Sequence, residues 1–306
     1  FTDSRYIESA QKNLQNFEVI ETNREHPYNQ LLNQAIADFG ITNLGFEEDY
    51  LTMAEYMGYE KALNAKLVPM NAAIHSFRAV KEPWELEIMR KAQDITDAAF
   101  SDVVKRIHAG MSEKDLQAEL IYCLYKNGAE GLSFDPIVVS GPNTSMPHGV
   151  AGDRKLQDGD FITMDFGVLY KGYCSDMTRT VALGYATEEM KKVYATVLEA
   201  QLAGIAVTKA GVTGQSIDGA ARKVIADAGY GDYFGHGYGH CLGLEIHESP
   251  RCSVAGTTVM EENMVSSAEP GIYLPGKFGV RIEDVVFFGK DGCENITHSP
   301  KKLMIL

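Results

Sequence analysis

Apolar residues recur every three or four positions in two consecutive stretches and predict a pair of amphipathic helices. The first begins at Pro83-Trp84 and carries a stripe from Leu86 to Ile107, with Gly110 as its predicted end. In the second, Ser112 and Asp115 form a predicted capping box ahead of an apolar stripe over residues 116–124, and Gly128 ends it. One face of each helix is therefore expected to pack on a core.

The same helix pair recurs 101 residues further along the chain. Ala109-Gly-Met-Ser112 corresponds to Ala210-Gly-Val-Thr213, and Gly128 corresponds to Gly229. Two unrelated amphipathic helices could resemble each other by chance, but the shared order of helix, glycine, cap, helix and glycine favours an internal duplication.

Strand-like segments follow each helix pair. In the first half they are Phe161–Met164 and Tyr173–Leu183, and in the second half Met264–Ala268 and Gly279–Phe288. The predicted fold class is therefore α+β, with two duplicated halves whose sheets meet face to face and whose helices lie outside.

The first 72 residues read as a small α/β region. Strands are predicted over Phe1–Ile7 and Ile41–Phe46, and helices over Pro27–Phe39 and Leu51–Leu63. The chain opens with Phe rather than Met, so we expect a segment upstream of this sequence.

Composition and charge narrow the function classes. The chain has 306 residues, 45% of them hydrophobic, which suits a globular protein with about two domains. Its 42 acidic against 28 basic residues give a net charge of −14, which argues against nucleic-acid and anionic-membrane partners. Five scattered cysteines without a C-x-x-C pattern predict a reduced, cytoplasmic protein.

Acidic residues flank the predicted hairpins of both halves. They are Asp165 and Asp176 in the first half and Glu269 and Glu283 in the second, and His240 lies between the two sets. Each alone could be a turn or core residue, but four converging carboxylates repel one another unless cations lie between them. The residues predict one or two divalent metal ions, with Mn²⁺ favoured and Co²⁺, Zn²⁺ or Fe²⁺ as alternatives.

Three more histidines lie near this set in the sequence. His148 follows a Gly/Pro-rich loop, and His236 and His247 flank His240. Imidazoles beside a metal centre can move protons and stabilise an oxyanion. The remaining possibility, a surface or capping role, suits His75, His108 and His298 better, because they lie outside these motifs.

Together these motifs resemble the pita-bread metallopeptidases, specifically the Xaa-Pro dipeptidases (prolidases) and Xaa-Pro aminopeptidases. The resemblance rests on Asp165-Phe-Gly, Gly172-Tyr-Cys-Ser-Asp176-Met-Thr-Arg-Thr, His236-Gly-Tyr-Gly-His240, His247-Glu-Ser-Pro-Arg251, Glu269-Pro-Gly-Ile-Tyr273, Gly279-Val-Arg-Ile-Glu283-Asp and the Ser140-Gly-Pro-Asn loop. It implies a pita-bread catalytic domain over residues 77–306. It also implies a partial creatinase-like N-terminal domain over residues 1–76.

The resemblance also implies a role for each site residue. Asp165 would hold one ion, Asp176 and Glu283 would bridge two ions, and His240 and Glu269 would hold the other. Glu269 would also relay a proton, while His148 and His247 would contact the scissile carbonyl group. His236, His247, Arg251 and Arg281 would line the substrate site. Xaa-Pro peptides are the implied substrates, and a homodimer is the implied assembly.

Three other functions remain as alternatives. Creatine hydrolysis uses this fold without metal, and the five predicted metal ligands argue against it. A methionine aminopeptidase would share the ligands but normally lacks the N-terminal domain and the Ser-Gly-Pro-Asn loop. A catalytically inactive peptide-binding module would be expected to have lost ligands. Cys241 stands where the family most often has glycine, and it is expected either to contact a metal or to pack behind the site.

Overall fold

A computed structural model describes residues 1–306, which form two compact units, Phe1–His75 and Ser76–Leu306. The first unit has two parallel strand pairs, β1 with β2 and β3 with β4. Its elements are β1 (Thr2–Asp3), α1 (Ile7–Asn13), β2 (Glu21–Thr22), α2 (Tyr28–Asp38), β3 (Asn43–Phe46), α3 (Met53–Ala62), β4 (Lys66–Pro69) and α4 (Asn71–Ala79), which runs into the second unit.

Within the first unit, both predicted helices form, but the predicted strand over Phe1–Ile7 is wrong beyond Asp3. The chain turns there because the backbone N–H groups of Arg5 and Tyr6 donate to the side chain and the carbonyl of Asp3, respectively. Ile7 then begins a helix instead of continuing the strand. A short acidic side chain favours such a turn over extended backbone.

Four long helices give the second unit its duplicated outline. They are α5 (Pro83–Val103), α6 (Glu113–Lys126), α7 (Glu188–Val207) and α8 (Gly214–Asp227). Helices α6 and α8 begin and end 101 residues apart, after the capping residues Ser112 and Thr213. The predicted capping box at Ser112 is present. Helix α5 ends at Val103 rather than Gly110, because a 3₁₀ turn replaces its last predicted turn.

The strands of the second unit form two main sheets. One has the order β10-β7-β6 and the other β12-β11-β13-β16-β17, while β5-β8-β9 and β14-β15 are small additional sheets. The strands are β5 (Gly131–Leu132), β6 (Ile137–Ser140), β7 (Phe161–Phe166), β8 (Val168–Tyr170), β9 (Tyr173–Cys174), β10 (Met177–Ala182), β11 (Gly239–Cys241), β12 (Glu248–Cys252), β13 (Val265–Ala268), β14 (Gly271–Leu274), β15 (Phe278–Arg281), β16 (Asp284–Phe288) and β17 (Cys293–Asn295).

Each helix pair covers the sheet of its own half. Buried residues of α5 and α6, such as Ala99 and Leu120, form one core cluster with Ile162 and Met164 of β7. Residues of α7 and α8 form a second core cluster, mainly with the strands of the second half. The sheets carry apolar side chains on the faces that the helices cover, so burial of these faces stabilises both halves.

Two predicted continuous strands are interrupted at equivalent points. The segment Tyr173–Leu183 divides into β9 and β10, and Gly279–Phe288 divides into β15 and β16. Asp176 lies in the first interruption and Glu283 in the second. A residue outside the regular ladder no longer follows the strict alternation of faces, so each interruption lets its carboxylate leave the sheet face that alternation would impose.

Candidate metal centre

A cavity of about 450 Å³ lies between the two halves of the second unit. All ten residues predicted as metal ligands or substrate contacts line it. They are Asp165, Asp176, His240, Glu269 and Glu283, together with His148, His236, His247, Arg251 and Arg281. The duplicated halves therefore bring the sequence-predicted residues to one place.

Strand geometry positions the acidic groups. Asp165 lies in β7 and Glu269 directly follows β13, whereas Asp176 and Glu283 directly precede β10 and β16. Since β7 pairs with β10 and β13 pairs with β16, each half contributes two carboxylates from neighbouring strands. The backbone N–H of Glu283 donates to the carbonyl of Thr178 over 3.1 Å, which joins the two halves beside the cavity.

Asp176, His240 and Glu283 form the tightest part of the cluster. One ligand atom from each lies within 4.8 Å of the others, and all three residues are buried. Nε2 of His240 is 3.6 Å from an oxygen of Asp176 and 3.4 Å from an oxygen of Glu269. These separations leave room for a cation among the groups but are too long for good hydrogen bonds.

The imidazole of His240 is arranged as a neutral ligand. Its Nδ1 lies 3.1 Å from the carbonyl oxygen of Cys241, so we assign the ring proton to Nδ1 as the donor. Burial lowers the pKa of His240 to about 3, with His247 adding to the shift. The lone pair on Nε2 then faces carboxylate oxygens, an arrangement that a cation between them would stabilise.

The carboxylates cannot all be ionised without a compensating charge. Burial raises the pKa of Asp176 and of Glu283 well above the usual range, and neighbouring carboxylates raise both further. Burial also raises the pKa of Glu269 to about 7, although the charge of Arg281 opposes the shift. Positive charge in the cavity would reverse these shifts and hold the groups in their ionised forms.

Two carboxylate oxygen atoms in the cavity indicate whether metal ions fit this site. Oδ1 of Asp165 and Oδ1 of Asp176 are buried and accept no hydrogen bond. A buried carboxylate oxygen without a donor is costly, and a bound cation removes that cost. Four carboxylates, one imidazole and two oxygens without partners match the donor set of a divalent metal centre.

Several residues that the sequence reasoning missed hold the ligands in place. Thr178 Oγ1 donates to Glu283 over 2.7 Å and accepts from Nε of Arg281 over 3.0 Å. Ser267 Oγ donates to Oε1 of Glu269 over 3.1 Å. Tyr273 lies between Arg281 and His236, with its hydroxyl 2.9 Å from each side chain. Thr178 and Tyr273 stand within the quoted motifs, but only their contacts reveal these roles.

The three cavity histidines have different surroundings. His236 is half-buried, and burial and the charge of Arg281 lower its pKa to about 4. His247 lies edge-on to His240, with ring centroids 4.5 Å apart. His148 is exposed on the loop after β6. Their protonation and contact roles stay predictions.

The two arginines also differ. Arg281 is buried and pairs with Asp165, whereas Arg251 is an exposed residue of β12, opposite His240 in the strand register. Cys241 is fully buried in the apolar core of the second half, so its thiol packs behind the site. Burial raises the pKa of that thiol, which keeps it protonated.

Comparison with protein families identifies the chain. The family model described as metallopeptidase family M24 matches residues 87–289, which contain the whole predicted ligand set. The chain belongs to metallopeptidase family M24. A second model, for the creatinase/prolidase N-terminal domain, matches residues 1–80.

Relatives of this M24 metallopeptidase carry consistent names. The Xaa-Pro dipeptidase of Pyrococcus horikoshii is 40% identical over 266 residues, which span 87% of this chain and 76% of that protein. A solved structure of an Xaa-Pro dipeptidase from Bacillus anthracis has a TM-score of 0.96 and 43% identity, covering 99% of this chain and 85% of that one. An X-Pro aminopeptidase from Thermotoga maritima has a TM-score of 0.93 and 40% identity, covering 100% and 86%.

These findings confirm the predicted family, the pita-bread fold with duplicated halves and the assignment as a metal-dependent hydrolase. The described residues also include no helix with the length and apolar character needed to cross a membrane.

Proposed function

We propose that this M24 metallopeptidase hydrolyses the bond between an N-terminal residue and proline, with two divalent cations as cofactors and Mn²⁺ as the preferred ion. The observation that carries the proposal is the convergence of four carboxylates and one neutral imidazole on a single cavity. Hard oxygen ligands with one nitrogen favour Mn²⁺ over softer ions. The substrate class rests on relatives named Xaa-Pro dipeptidase and X-Pro aminopeptidase.

The proposed ligand roles are those that the family resemblance implies, and the meeting of these side chains in one cavity supports them. Asp165 would hold one ion, His240 and Glu269 would hold the other, and Asp176 and Glu283 would be shared between the two. When bound, the ions supply Lewis acidity and a nucleophilic water at neutral pH. Arg281 and Thr178 orient Asp165 and Glu283 through the hydrogen bonds described above.

Proton transfer and carbonyl stabilisation are assigned to the protein side chains. The carboxylate of Glu269 would accept a proton from the attacking water and deliver it to the leaving nitrogen of proline. His148 and His247 contact the scissile carbonyl group and stabilise its developing negative charge. His236 and Arg281 shape the substrate site, and Arg251 binds a substrate carboxylate through its fixed positive charge.

The walls of the cavity support recognition of proline by shape. The cavity lining also includes apolar residues beside the charged ones. They are Phe134, Ile137, Pro147 and Ile246. An Xaa-Pro bond is a tertiary amide without an N–H, so a peptidase cannot recognise it through that donor. An apolar wall that fits the pyrrolidine ring provides an alternative basis for selection.

The proposal extends to organisation and location. Residues 1–76 form a creatinase-like domain and residues 77–306 form the catalytic domain. The protein acts as a homodimer in the cytoplasm, on peptides rather than on nucleic acid or membranes. The net charge of −14 and five free cysteines support this environment.

A substrate-length series tests the function. Metal-loaded protein is assayed on Xaa-Pro, Xaa-Pro-Xaa and Xaa-Ala peptides with Mn²⁺, Co²⁺ and Zn²⁺ in turn. We expect cleavage of the proline peptides, fastest with Mn²⁺, and little cleavage of Xaa-Ala. Cleavage of only the shorter proline peptide identifies a dipeptidase, and cleavage of the longer peptide identifies an aminopeptidase. Preferred cleavage after methionine would contradict the proposal and favour a methionine aminopeptidase, and metal binding without any cleavage would favour an inactive peptide-binding module.

A further inference from the structure

The loop that carries His148 has little regular structure of its own. It follows β6, begins with a 3₁₀ turn over Gly141–Ser145 and reaches the cavity wall at Pro147 and His148. The imidazole of His148 makes no hydrogen bond with any described residue. The position of this ring therefore depends on what holds the backbone of the loop.

A single carboxylate joins the two ends of this loop. Glu113, the first residue of α6, is 0% exposed. Its Oε1 accepts from the backbone N–H and the hydroxyl of Ser140, at 2.7 and 2.8 Å, and from Nδ2 of Asn143 at 3.0 Å. Its Oε2 accepts from the backbone N–H of Gly152 over 2.9 Å. Ser140 and Asn143 precede His148, and Gly152 follows it by four residues.

The charge of Glu113 is balanced by donors rather than by a direct ion pair. Arg154 donates to the hydroxyl of Ser140 over 2.7 Å and forms its salt bridge with Asp160. A fully buried carboxylate is expensive to desolvate, and an apolar residue at this position would avoid that cost. Its four hydrogen bonds to donors of the loop are contacts that an apolar residue could not make.

The equivalent helix start in the second half supports an element that lines the cavity in a different way. Gly214, the first residue of α8, lies so close to β12 that an added Cβ would be 2.2 Å from the carbonyl oxygen of Arg251. The start of α8 thus supports a cavity-lining strand by direct backbone contact. The start of α6 supports the His148 loop through the Glu113 side chain.

From this geometry we propose that Glu113 is a positioning residue for His148, acting through the backbone of residues 140–152 and without contacting substrate or metal. The inference rests on the proposed function, in which His148 contacts the scissile carbonyl group. Loss of the Glu113 contacts should therefore slow turnover by no more than loss of the His148 side chain does.

The variant Glu113→Gln tests this directly. A glutamine side chain has only one acceptor oxygen. If this oxygen accepts from Ser140 and Asn143, the NH₂ group of the glutamine faces the backbone N–H of Gly152, and two donors oppose each other. We expect kcat on an Xaa-Pro substrate to fall about 10- to 100-fold. KM should change less than about threefold, since the variant weakens stabilisation of the transition state and not binding of the substrate in the ground state. Metal content per chain should equal that of the wild type.

A double-mutant cycle separates positioning from a general structural role. His148→Ala should reduce kcat at least as much as Glu113→Gln, and the double variant should be within about twofold of His148→Ala. Asp115→Asn is the matched control, because Asp115 lies in the same helical turn but contacts Ser112 and Lys155 instead of the loop. Its activity should stay close to that of the wild type.

Two further measurements keep the inference testable. If Glu113→Gln does not fold, Asn143→Ala removes only one of the four contacts and should lower kcat about 3- to 10-fold, again without effect in the His148→Ala background. Amide hydrogen exchange of residues 141–151 should accelerate in Glu113→Gln or, failing that variant, in Asn143→Ala. If the wild type fails to cleave Xaa-Pro peptides, the proposed function fails, while the exchange measurement still reports on the loop.

The contrary results are equally specific. Wild-type kcat in Glu113→Gln, or effects of Glu113→Gln and His148→Ala that multiply in the double variant, would overturn the positioning role. Loss of metal in proportion to loss of activity would also overturn it, since the effect would then act through the metal centre.

Discussion

Arg281 donates a hydrogen bond of 2.6 Å to Oδ2 of Asp165, while Oδ1 of the same carboxylate is buried without a partner. The guanidinium thus fixes one oxygen of the side chain and leaves the other free to bind a cation. Arg281 also donates to Thr178 and Tyr273, so its orientation is set by three side chains at once.

Replacing Arg281 with lysine should weaken metal binding and slow turnover. A lysine ammonium lacks the planar fork that donates to Asp165, Thr178 and Tyr273 together. We expect metal affinity to fall about 10- to 100-fold, as measured by competition with a chelator. Arg90→Lys is a suitable control, because Arg90 forms a surface pair with Glu294. Equal affinities in the two variants would show that Arg281 does not orient a ligand.

Glu283→Gln should abolish turnover and reduce the bound metal while leaving the fold intact. The amide keeps the size of the side chain but removes one of the converging charges, so the metal-free protein loses repulsion rather than packing. Asp176→Asn should behave in the same way. Metal content is measured by elemental analysis after gel filtration, with the exposed Glu262→Gln as control. Wild-type turnover in either ligand variant would contradict the assigned ligand set.

Without metal, the free energy of unfolding should depend on pH, because the buried Glu269 carboxylate destabilises the fold when it is ionised. Its pKa is about 7 in the folded protein, against an ordinary value of 4.5. Its contribution to folding is therefore fully present below pH 4.5 and is lost as the pH rises through 7. Metal-free Glu269→Gln should be more stable than the metal-free wild type by about 1–3 kcal/mol at pH 8.

That difference should shrink as the pH falls from about 8 to about 5, since the wild-type carboxyl becomes protonated over this range. Denaturant unfolding of both proteins in the presence of a chelator measures it. A stability difference that stays constant with pH would mean that Glu269 is not the group that titrates.

His148→Ala should slow turnover about 100-fold or more and leave the metal content unchanged. The side chain lines the cavity from an exposed loop, away from the buried Asp176, His240 and Glu283 cluster. Steady-state kinetics and metal analysis of the same preparation provide the test. Concurrent loss of metal would assign His148 to the metal centre instead.

Much of the catalytic fold could be predicted because its two halves repeat. The spacing of 101 residues correctly related α6 to α8, and the capping pattern at Ser112 fixed where α6 begins. Strand ends were less predictable, since nothing in the apolar pattern of the sequence marks the interruptions at Asp176 and Glu283. The strand predicted over Phe1–Ile7 failed because a local turn at Asp3 outweighed the apolar pattern.

The metal ligands could be predicted because each is an acidic or histidine residue in or beside an otherwise apolar strand, where few other roles require such a side chain. Thr178, Ser267 and Tyr273 could not be found in this way, since such residues are common in strands and act here through specific contacts. Glu113 was also missed, because in sequence it reads only as an acidic residue in the first turn of a helix.

The most direct test of the central claim is to count metal ions bound to the wild type and to Asp176→Asn by calorimetric titration of the metal-free proteins with Mn²⁺. The account predicts two Mn²⁺ ions per wild-type chain and a large loss of affinity in Asp176→Asn, since Asp176 belongs to the buried cluster with His240 and Glu283. Absence of Mn²⁺ binding by the wild type, or equal binding by both proteins, would contradict the claim that these carboxylates coexist through bound cations.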